Sequence, residues 1–385
     1  MSHRLRVLHV GKYYPPARGG IERVTQLLCE AERAHVDSQV LVANTAARTV
    51  HEMRNGVPVT RIASFGAIGS VGVCPGFPAA LARVRRDVTV IHEPNPVALV
   101  SDWVTAQSGP LVVWFHSEVV RPQWKYRFLY RPFLLRALRR ADAIVISSPP
   151  MLEHAPELQR FREKCRVVPY GIDLGRLEAT RTVLERARAI RASHRGPIVL
   201  FVGRLVPYKG VDVLLRAMAT VDATAIVIGD GPLGGRLRTE AAALGLGSRV
   251  LFVGAASDED LVAHLHACDV FVLPSVTHAE AFGVVQLEAM ACGKPVVSTN
   301  VRSGVPWVNR HGVTGLVVEP GDSMALADAL RTLLADDAMR RTMGAAGRDR
   351  VRREFTLERM ALQTTRIYCE LVQAASHADA RVAAS

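Results

Sequence analysis

The sequence predicts an α/β protein made of two doubly wound parallel-sheet domains with a cleft between them. Three observations lead there. Short apolar runs alternate with longer amphipathic stretches, the pattern that places helices on both faces of a parallel sheet. The alternation comes in two successive sets, interrupted at Pro169-Tyr170-Gly171-Ile172-Asp173. At 385 residues the chain also exceeds what one hydrophobic core usually serves. The expected division is an N-terminal domain over 1–170, a second over 171–355, and a terminal segment 356–385 whose helix crosses back to the first domain before an Ala-rich, frayed tail from His377.

Composition narrows the function classes. Hydrophobic residues make up 49% of the chain and charged ones 22%, which fits a soluble globular enzyme rather than a disordered chain. No apolar run approaches the ~20 residues of a membrane span. Leu5 to Val10 is short and lacks a cleavage pattern, so it reads as the first strand of a cytosolic protein. The cysteines Cys29, Cys74, Cys165, Cys268, Cys292 and Cys369 have no Cys-x-x-Cys spacing, which argues for reduced thiols rather than disulfides or a zinc ribbon. A net charge of +12 favours polyanionic partners: phosphorylated substrates, an anionic membrane or nucleic acid.

In the first set, Leu5–Gly11 is a buried strand. The loop Lys12-Tyr13-Tyr14-Pro15-Pro16-Ala17-Arg18-Gly19-Gly20 leads from it into a helix over Ile21–Ala34, where Ile21, Val24, Leu27, Leu28 and Ala31 recur at helical spacing. Gly19 and Gly20 offer a phosphate-approach loop or a plain tight turn. No Gly-Lys-Ser/Thr follows, so this is not a P-loop. Further strands are expected at Ser38–Ala43, Val57–Ile62, Asp87–Ile91, Leu111–Phe115, Asp142–Ser147 and Arg166–Val168. Ligands of such sheets bind beyond the carboxyl ends of strands. His116 stands at one such end, and His92, Glu93, Pro94 and Asn95 stand at another.

Arg121–Asp142 has its own character. Arg121, Lys125, Arg127, Arg131, Arg136, Arg139 and Arg140 are interleaved with Trp124, Tyr126, Phe128, Leu129 and Tyr130, with no acid before Asp142. Cations with interfacial aromatics suit a segment lying on an anionic bilayer. Its basic face could also be merely solvated.

In the second set, strands are expected at Pro197–Gly203, Ala223–Gly229, Arg249–Gly254, Asp269–Pro274, Pro295–Ser298 and Gly315–Val318, followed by helices at Ser323–Leu334, Asp337–Arg353 and Leu357–Ala374. Gly203-Arg204-Leu205-Val206-Pro207-Tyr208-Lys209-Gly210 follows the first of these strands. There Arg204 can grip phosphate oxygens through paired hydrogen bonds, and Lys209 adds a second cation for a departing nucleoside diphosphate. Gly229-Asp230-Gly231-Pro232-Leu233-Gly234 matches the dinucleotide pattern Gly-x-Gly-x-x-Gly. The next strand lacks the closing acid such a site wants, and Pro232 reads as a first-turn helix proline. Asp258-Glu259-Asp260 reads as helix capping rather than a metal site. His264, His266 and Cys268 diverge around their helix, so no metal is expected.

The stretch His278–Pro295 follows the strand ending at Pro274 and closes on Gly293 and Pro295, both helix-stop signals. It places Glu280 before a helix and Glu288 five residues into it, ~7.5 Å along the axis. Backbone N–H groups of Phe282, Gly283, Val284 and Val285 point between them. That arrangement suits a nucleotide sugar, with a phosphate at the helix N-terminus and a carboxylate at either side.

Taken together, Pro15-Pro16-Ala17-Arg18-Gly19-Gly20-Ile21-Glu22, His116, Pro169–Asp173, Gly203-Arg204…Lys209-Gly210, Gly229–Pro232 and Glu280-x7-Glu288 resemble the family-4 (group 1) retaining glycosyltransferases with the GT-B fold. The likeness spans roughly residues 5 to 320. It implies an acceptor-side first domain and a nucleotide-sugar-binding second one. It implies that Glu280 holds the donor sugar and Glu288 the ribose. Arg204 and Lys209 would bind the diphosphate, assisted by Gly19 or Gly20 and by the Phe282–Val285 amides, and His116 would contact the transferred sugar near its reacting carbon. No cofactor and no obligatory metal are implied. The segment from His116 through Glu118 to Pro132 looks most like bacterial surface-polysaccharide transferases that add mannose or a related hexose to a lipid-linked acceptor. Tyr13, Tyr14, Trp124, Lys125, Arg127 and Arg131 would then face acceptor and membrane, with the protein peripheral on the inner face of the plasma membrane. GDP-mannose is the expected donor and a UDP-hexose the alternative. A sugar-nucleotide 2-epimerase and a nucleic-acid-binding protein remain competing classes, and no nucleic-acid motif supports the latter.

Overall fold

The structure is a computed structural model that describes residues 4–17, 19–68, 71–106, 108–117, 124 and 126–384. Arg18, Glu118, Arg121 and Lys125 lie outside the described residues. The chain forms two units, Met1–Gly171 with Leu357–Ser385, and Ile172–Thr356.

The first unit is built on β1 (Arg6–Val10), β2 (Asp37–Ala43), β3 (Val50–Arg54), β4 (Val57–Ile62), β7 (Val88–Glu93), β8 (Leu111–Phe115), β9 (Ala143–Ile146) and β10 (Cys165–Val167), with a separate two-stranded ribbon β5 (Ala67–Ile68) and β6 (Val71–Gly72). The main sheet runs β10-β9-β8-β7-β1-β2-β4-β3. Every neighbour is parallel except the β3–β4 pair at its edge. Strand order therefore reverses between β1 and β7, the switch point at which such sheets open a crevice beyond the strand ends. Strands β7, β8 and β9 are buried along their whole length, as expected where helices cover both faces.

Two features differ from the sequence reading. Strand β3 alternates between half-buried and exposed residues and turns into β4 through Asn55-Gly56, both at positive φ. Asn-Gly is a hairpin signal, yet β3 carries too little apolar character to stand out. The terminal helix also runs on to Ala384, past the expected fraying point at His377. Its last turns are alanine-rich, and alanine has the best helix propensity. This helix belongs to the first unit, where it packs on the helix Gly20–Glu32.

The second unit contains β11 (Ile198–Val202), β12 (Thr224–Ile228), β13 (Val250–Gly254), β14 (Val270–Leu273), β15 (Val296–Thr299) and β16 (Gly315–Val318). Their order, β13-β12-β11-β14-β15-β16, is parallel throughout. The first strand in sequence sits at the middle, and the order reverses between β11 and β14. One large core, including Phe201, Leu214, Met218, Val227, Val272 and Leu330, fills the face under the helices Val211–Met218 and Ser323–Ala335. Two Rossmann-like parallel sheets of this kind constitute the GT-B fold class.

Candidate functional site

In the second unit the predicted motifs converge on the carboxyl ends of β11, β12 and β14. Leu205 N–H donates to Asp230 O at 2.9 Å, and Val276 N–H donates to Tyr208 O at 2.8 Å, so the three strand-end loops are stitched together. Two glycines permit this approach. Gly229 has φ +127°, and a Cβ there would overlap the Gly203 carbonyl. Gly210 has φ +65°, and its Cβ would overlap the Pro274 carbonyl. The glycines of Gly229-x-Gly231 thus serve close loop packing.

The loops hold a compact charged cluster. Lys209 Nζ forms an ion pair with Glu280 Oε2, and each side chain is only 11% exposed. Ser275, fully buried, donates its hydroxyl to the same oxygen at 3.2 Å. Arg204 is exposed beside this pair and makes no ion pair among the described residues. The arrangement offers one cation already balanced by a carboxylate and one left for an incoming anion. Phe282 is buried against Trp307 and Phe355, so only its backbone faces this region. The helix Val284–Ala291 is capped by Gly283 at positive φ, which leaves the amides of its first turn without intrahelical partners except Gln286, bonded to Gly283 O at 2.9 Å.

Glu288 is engaged by Arg176, which also pairs with Asp258 at 3.3 Å. Sequence reasoning missed Arg176. It lies 112 residues from Glu288, and its position just after Asp173, whose Oδ1 accepts from the Gly175 and Arg176 amides at 3.0 and 3.3 Å, was the available signal.

In the first unit, Gly19 caps the helix Gly20–Glu32, and the Glu22 carboxylate lies where a side chain at Gly19 would go. An acid of the chain's own therefore already sits over this helix N-terminus. His116 is not an open strand-end histidine. It is 2% exposed, and both ring nitrogens are used: Nε2 meets His92 Nδ1 at 2.8 Å and Nδ1 meets the Tyr170 hydroxyl at 2.7 Å. Burial pulls its pKa down to about 3 and takes His92 well below the ordinary range, with His116 and His9 adding repulsion there. His116 thus stands inside a buried chain rather than at an open strand end. That chain continues from His92 Nε2 to His9 Nδ1 at 2.9 Å and from His9 Nε2 to Glu32 Oε1 at 2.5 Å. Beside it, Glu93 accepts hydrogen bonds from the Tyr130 hydroxyl and from Asn95 N–H, the latter at 3.0 Å, and burial pushes its carboxyl up to about 7.

Among the residues expected to face acceptor or membrane, Tyr13 is half-buried under the Lys12 ammonium at 5.6 Å. Tyr14 is fully buried in a core cluster with Cys29, Val40 and Val57, which corrects its assignment to an acceptor surface. Trp124, Phe128 and Leu129 are 59%, 68% and 63% exposed. Arg127 is exposed with them, whereas Arg131 pairs with Glu157 at 3.1 Å. Trp103, on the helix Pro96–Thr105, meets Phe133 edge-on and extends the same exposed face. No helix among the described residues is long and apolar enough to cross a membrane.

Comparison with known proteins agrees with this architecture. Residues 185–350 match the family described as Glycosyl transferases group 1, and residues 19–171 match the Glycosyl transferase 4-like domain. The chain is 35% identical over 363 residues to D-rhamnosyltransferase WbpZ of Pseudomonas aeruginosa, covering 91% of this chain and 92% of that protein. It is 29% identical over 383 residues to the O-antigen chain mannosyltransferase C of Escherichia coli, covering 97% and 100%. Among solved structures, sucrose-phosphate synthase from Thermosynechococcus elongatus superimposes with a TM-score of 0.80 at 26% identity, covering 96% of this chain and 100% of that one. With both sheets in doubly wound order, phosphate- and sugar-binding residue types gathered at the strand ends of the second, and whole-length relatives of this kind, the chain belongs to the family-4 (group 1) glycosyltransferases of the GT-B fold.

Proposed function

We propose that the protein is a retaining hexosyltransferase that moves mannose from GDP-mannose to a lipid-linked glycan acceptor during assembly of a cell-surface polysaccharide or glycolipid. The observation that carries this reading is the Lys209–Glu280 pair beside the exposed Arg204 at the β11 and β14 strand ends. It supplies cations for a diphosphate near a carboxylate for sugar hydroxyls, with Lys209 in direct contact with Glu280. The choice of mannose draws on the O-antigen chain mannosyltransferase, with which the chain aligns over nearly its full length.

In the proposed reaction the bond from the anomeric carbon to the β-phosphate oxygen breaks. A bond to the acceptor oxygen forms on the same face, and the acceptor proton passes to the leaving phosphate. Arg204 and Lys209 offset the charge that develops on that phosphate, aided by first-turn amides of the helix Val284–Ala291. Glu280 orients the sugar. Glu288, held by Arg176, takes the ribose hydroxyls. No metal enters this scheme. The exposed Trp124, Phe128 and Leu129 with Arg127 and Arg139 seat the protein on the anionic inner face of the plasma membrane, where a lipid-linked acceptor is presented.

The test is a screen of GDP- and UDP-sugars by calorimetry, followed by turnover with a lipid-linked glycan. Tight binding of GDP-mannose and release of GDP only when acceptor is added support the proposal. Preference for a UDP-hexose replaces the donor. Product from donor alone points to an epimerase, and full turnover by Glu280→Ala overturns the site.

A further inference from the structure

The buried chain Glu32–His9–His92–His116–Tyr170 spans the first unit's sheet from the helix Gly20–Glu32 to the end of β8. Parallel pairing sets His9 opposite Val90 and His92 opposite Trp114. Each histidine therefore lies on the same face as the next, one step diagonally across the sheet. The His9–His92 and His92–His116 rings are close to coplanar, at 28° and 12° with centroids 5.2 and 5.1 Å apart, so they meet edge to edge through their nitrogens.

A neutral imidazole carries one N–H and one bare nitrogen, so a line of them has a direction. A carboxylate has no proton to give, and Ser38 already donates to Glu32 Oε1 at 2.8 Å. His9 Nε2 must then donate to Glu32. With all three rings neutral, His9 Nδ1 accepts from His92 Nε2–H, His92 Nδ1 accepts from His116 Nε2–H, and His116 Nδ1 accepts from the Tyr170 hydroxyl. The opposite direction would need His9 Nδ1 to donate, which requires one proton more than a Glu32 carboxylate and three neutral rings carry, and it would turn the Tyr170 hydroxyl away from His116.

We propose that Glu32 and His9 are positioning residues for His116: the Glu32 carboxylate holds His9 as its donor and, through His92, fixes the Nε2–H tautomer of His116, so that His116 Nδ1 accepts from Tyr170 at the β8 strand end. The groups facing the pair fit this role. Cys29 faces it from the same helix, and burial with nearby Glu32 and Glu30 pushes its thiol well up. Ser38 faces it from β2 and His92 from β7. Tyr368 faces it from the terminal helix, its phenol pushed well up by burial and by Glu32. Cys29 and Tyr368 therefore stay uncharged and leave Glu32 as the acceptor at this end of the chain. Glu32 Oε2 is fully buried without a hydrogen-bond partner, so Glu32 meets His9 and Ser38 through Oε1 alone.

The test uses the full chain labelled with ¹⁵N-histidine. Two-bond ¹⁵N–¹H correlation spectra report the tautomer of each ring, assigned by single substitution. Well above the ordinary histidine pKa of ~6.5, His9, His92 and His116 are expected to share the Nε2–H tautomer. Opposite tautomers among the three overturn the proposal, and this wild-type measurement needs no variant to fold. Glu32→Gln, whose amide can donate to His9, is expected to shift the His116 nitrogen signals. With His116 at the transferred sugar, as the family resemblance implies, it should also lower kcat about ten-fold, the scale on which outer partners of a histidine act, with donor KM little changed. Unchanged His116 signals in that variant overturn the coupling. The kcat arm rests on the proposed glycosyl transfer and the spectra do not. Uniform tautomers in a protein that transfers no sugar refute the transfer reading alone, and mixed tautomers refute the chain alone.

Discussion

Replacing Lys209 with Met and Glu280 with Gln, singly and together, separates what their ion pair does for the fold from what it does for the donor. Both side chains are 11% exposed, so removing one partner strands a charge in a poorly solvated place. Breaking such a pair typically costs ~3–5 kcal/mol. In Lys209→Met the buried Ser275 hydroxyl still donates to Glu280, which points to the lower end, about 3 kcal/mol. The double variant leaves no buried charge and keeps an acceptor for Ser275, so it should lie within about 1 kcal/mol of the wild type, because a neutral replacement of a buried pair is often nearly cost-free. Nucleotide affinity should behave differently. At the proposed donor site Lys209 would supply charge-assisted bonds to the diphosphate worth about 2 kcal/mol, so both variants that lack it should bind GDP roughly thirty-fold more weakly. Urea unfolding and GDP calorimetry on the same preparations give both numbers. If Lys209→Met costs less than about 1 kcal/mol, the buried-pair argument fails. If the double variant binds GDP like the wild type, Lys209 is structural only.

Three further outcomes can be checked. Gly229→Ala forces a Cβ into the Gly203 carbonyl at φ +127°, so it should destabilise the second unit by ~2–3 kcal/mol in urea unfolding and weaken GDP binding, whereas Gly235→Ala, with open space at its Cβ, should do neither. Glu93, held up at about 7 by burial, keeps its proton in the fold where the unfolded chain has lost it, so its stabilising contribution is full below about 4.5 and is lost as pH rises to 7; Glu93→Gln should remove a loss on the order of 3 kcal/mol. His116, held down at about 3, works with the opposite sign, so unfolding midpoints of Glu93→Gln should climb more steeply with pH than those of the wild type, and parallel curves would refute the assignment. Trp124→Ser with Arg139→Glu should abolish sedimentation with anionic liposomes while GDP affinity is unchanged; retained sedimentation would place the membrane contact elsewhere.

Legibility followed burial. Strands covered on both faces are continuous apolar runs, so Leu111–Phe115 was readable to the residue. Edge strand β3 has only one partner and half-polar alternation, and it stayed hidden. The second unit's site was largely readable because each part sits in a loop immediately after a strand, where sequence position and spatial position coincide. Arg176 was not, because it reaches Glu288 from a loop far away in the chain. The histidine chain was hardest. His9, Glu32, His92, His116 and Tyr170 are brought together only by the diagonal register of three strands and the helix over them, and no local pattern encodes register. The strand-end position of His116 suggested an open functional group, and its neighbours turned it into a buried one.

The same distinction narrows the electrostatic argument for membrane contact. The segment from Arg127 to Arg140 reads as a dense basic stripe, yet Arg131 pairs with Glu157 and Arg140 with Asp102. Arg127, Arg136 and Arg139 remain exposed. At roughly 1 kcal/mol per cation near an anionic surface, three such residues give only weak and salt-sensitive attraction. Charge alone therefore would not hold the protein at a bilayer, and the proposed contact would depend on apolar side chains as well. Trp124, Phe128 and Leu129 are the exposed apolar side chains of this segment, and Trp103, against Phe133, and Val104 are exposed on the neighbouring helix. Binding by this surface should be reversible, weakened by salt and lost more completely when the aromatic side chains are removed than when one arginine is. Weak, two-part adhesion of this kind would suit the proposed transfer to successive lipid-linked acceptors with a donor drawn from solution.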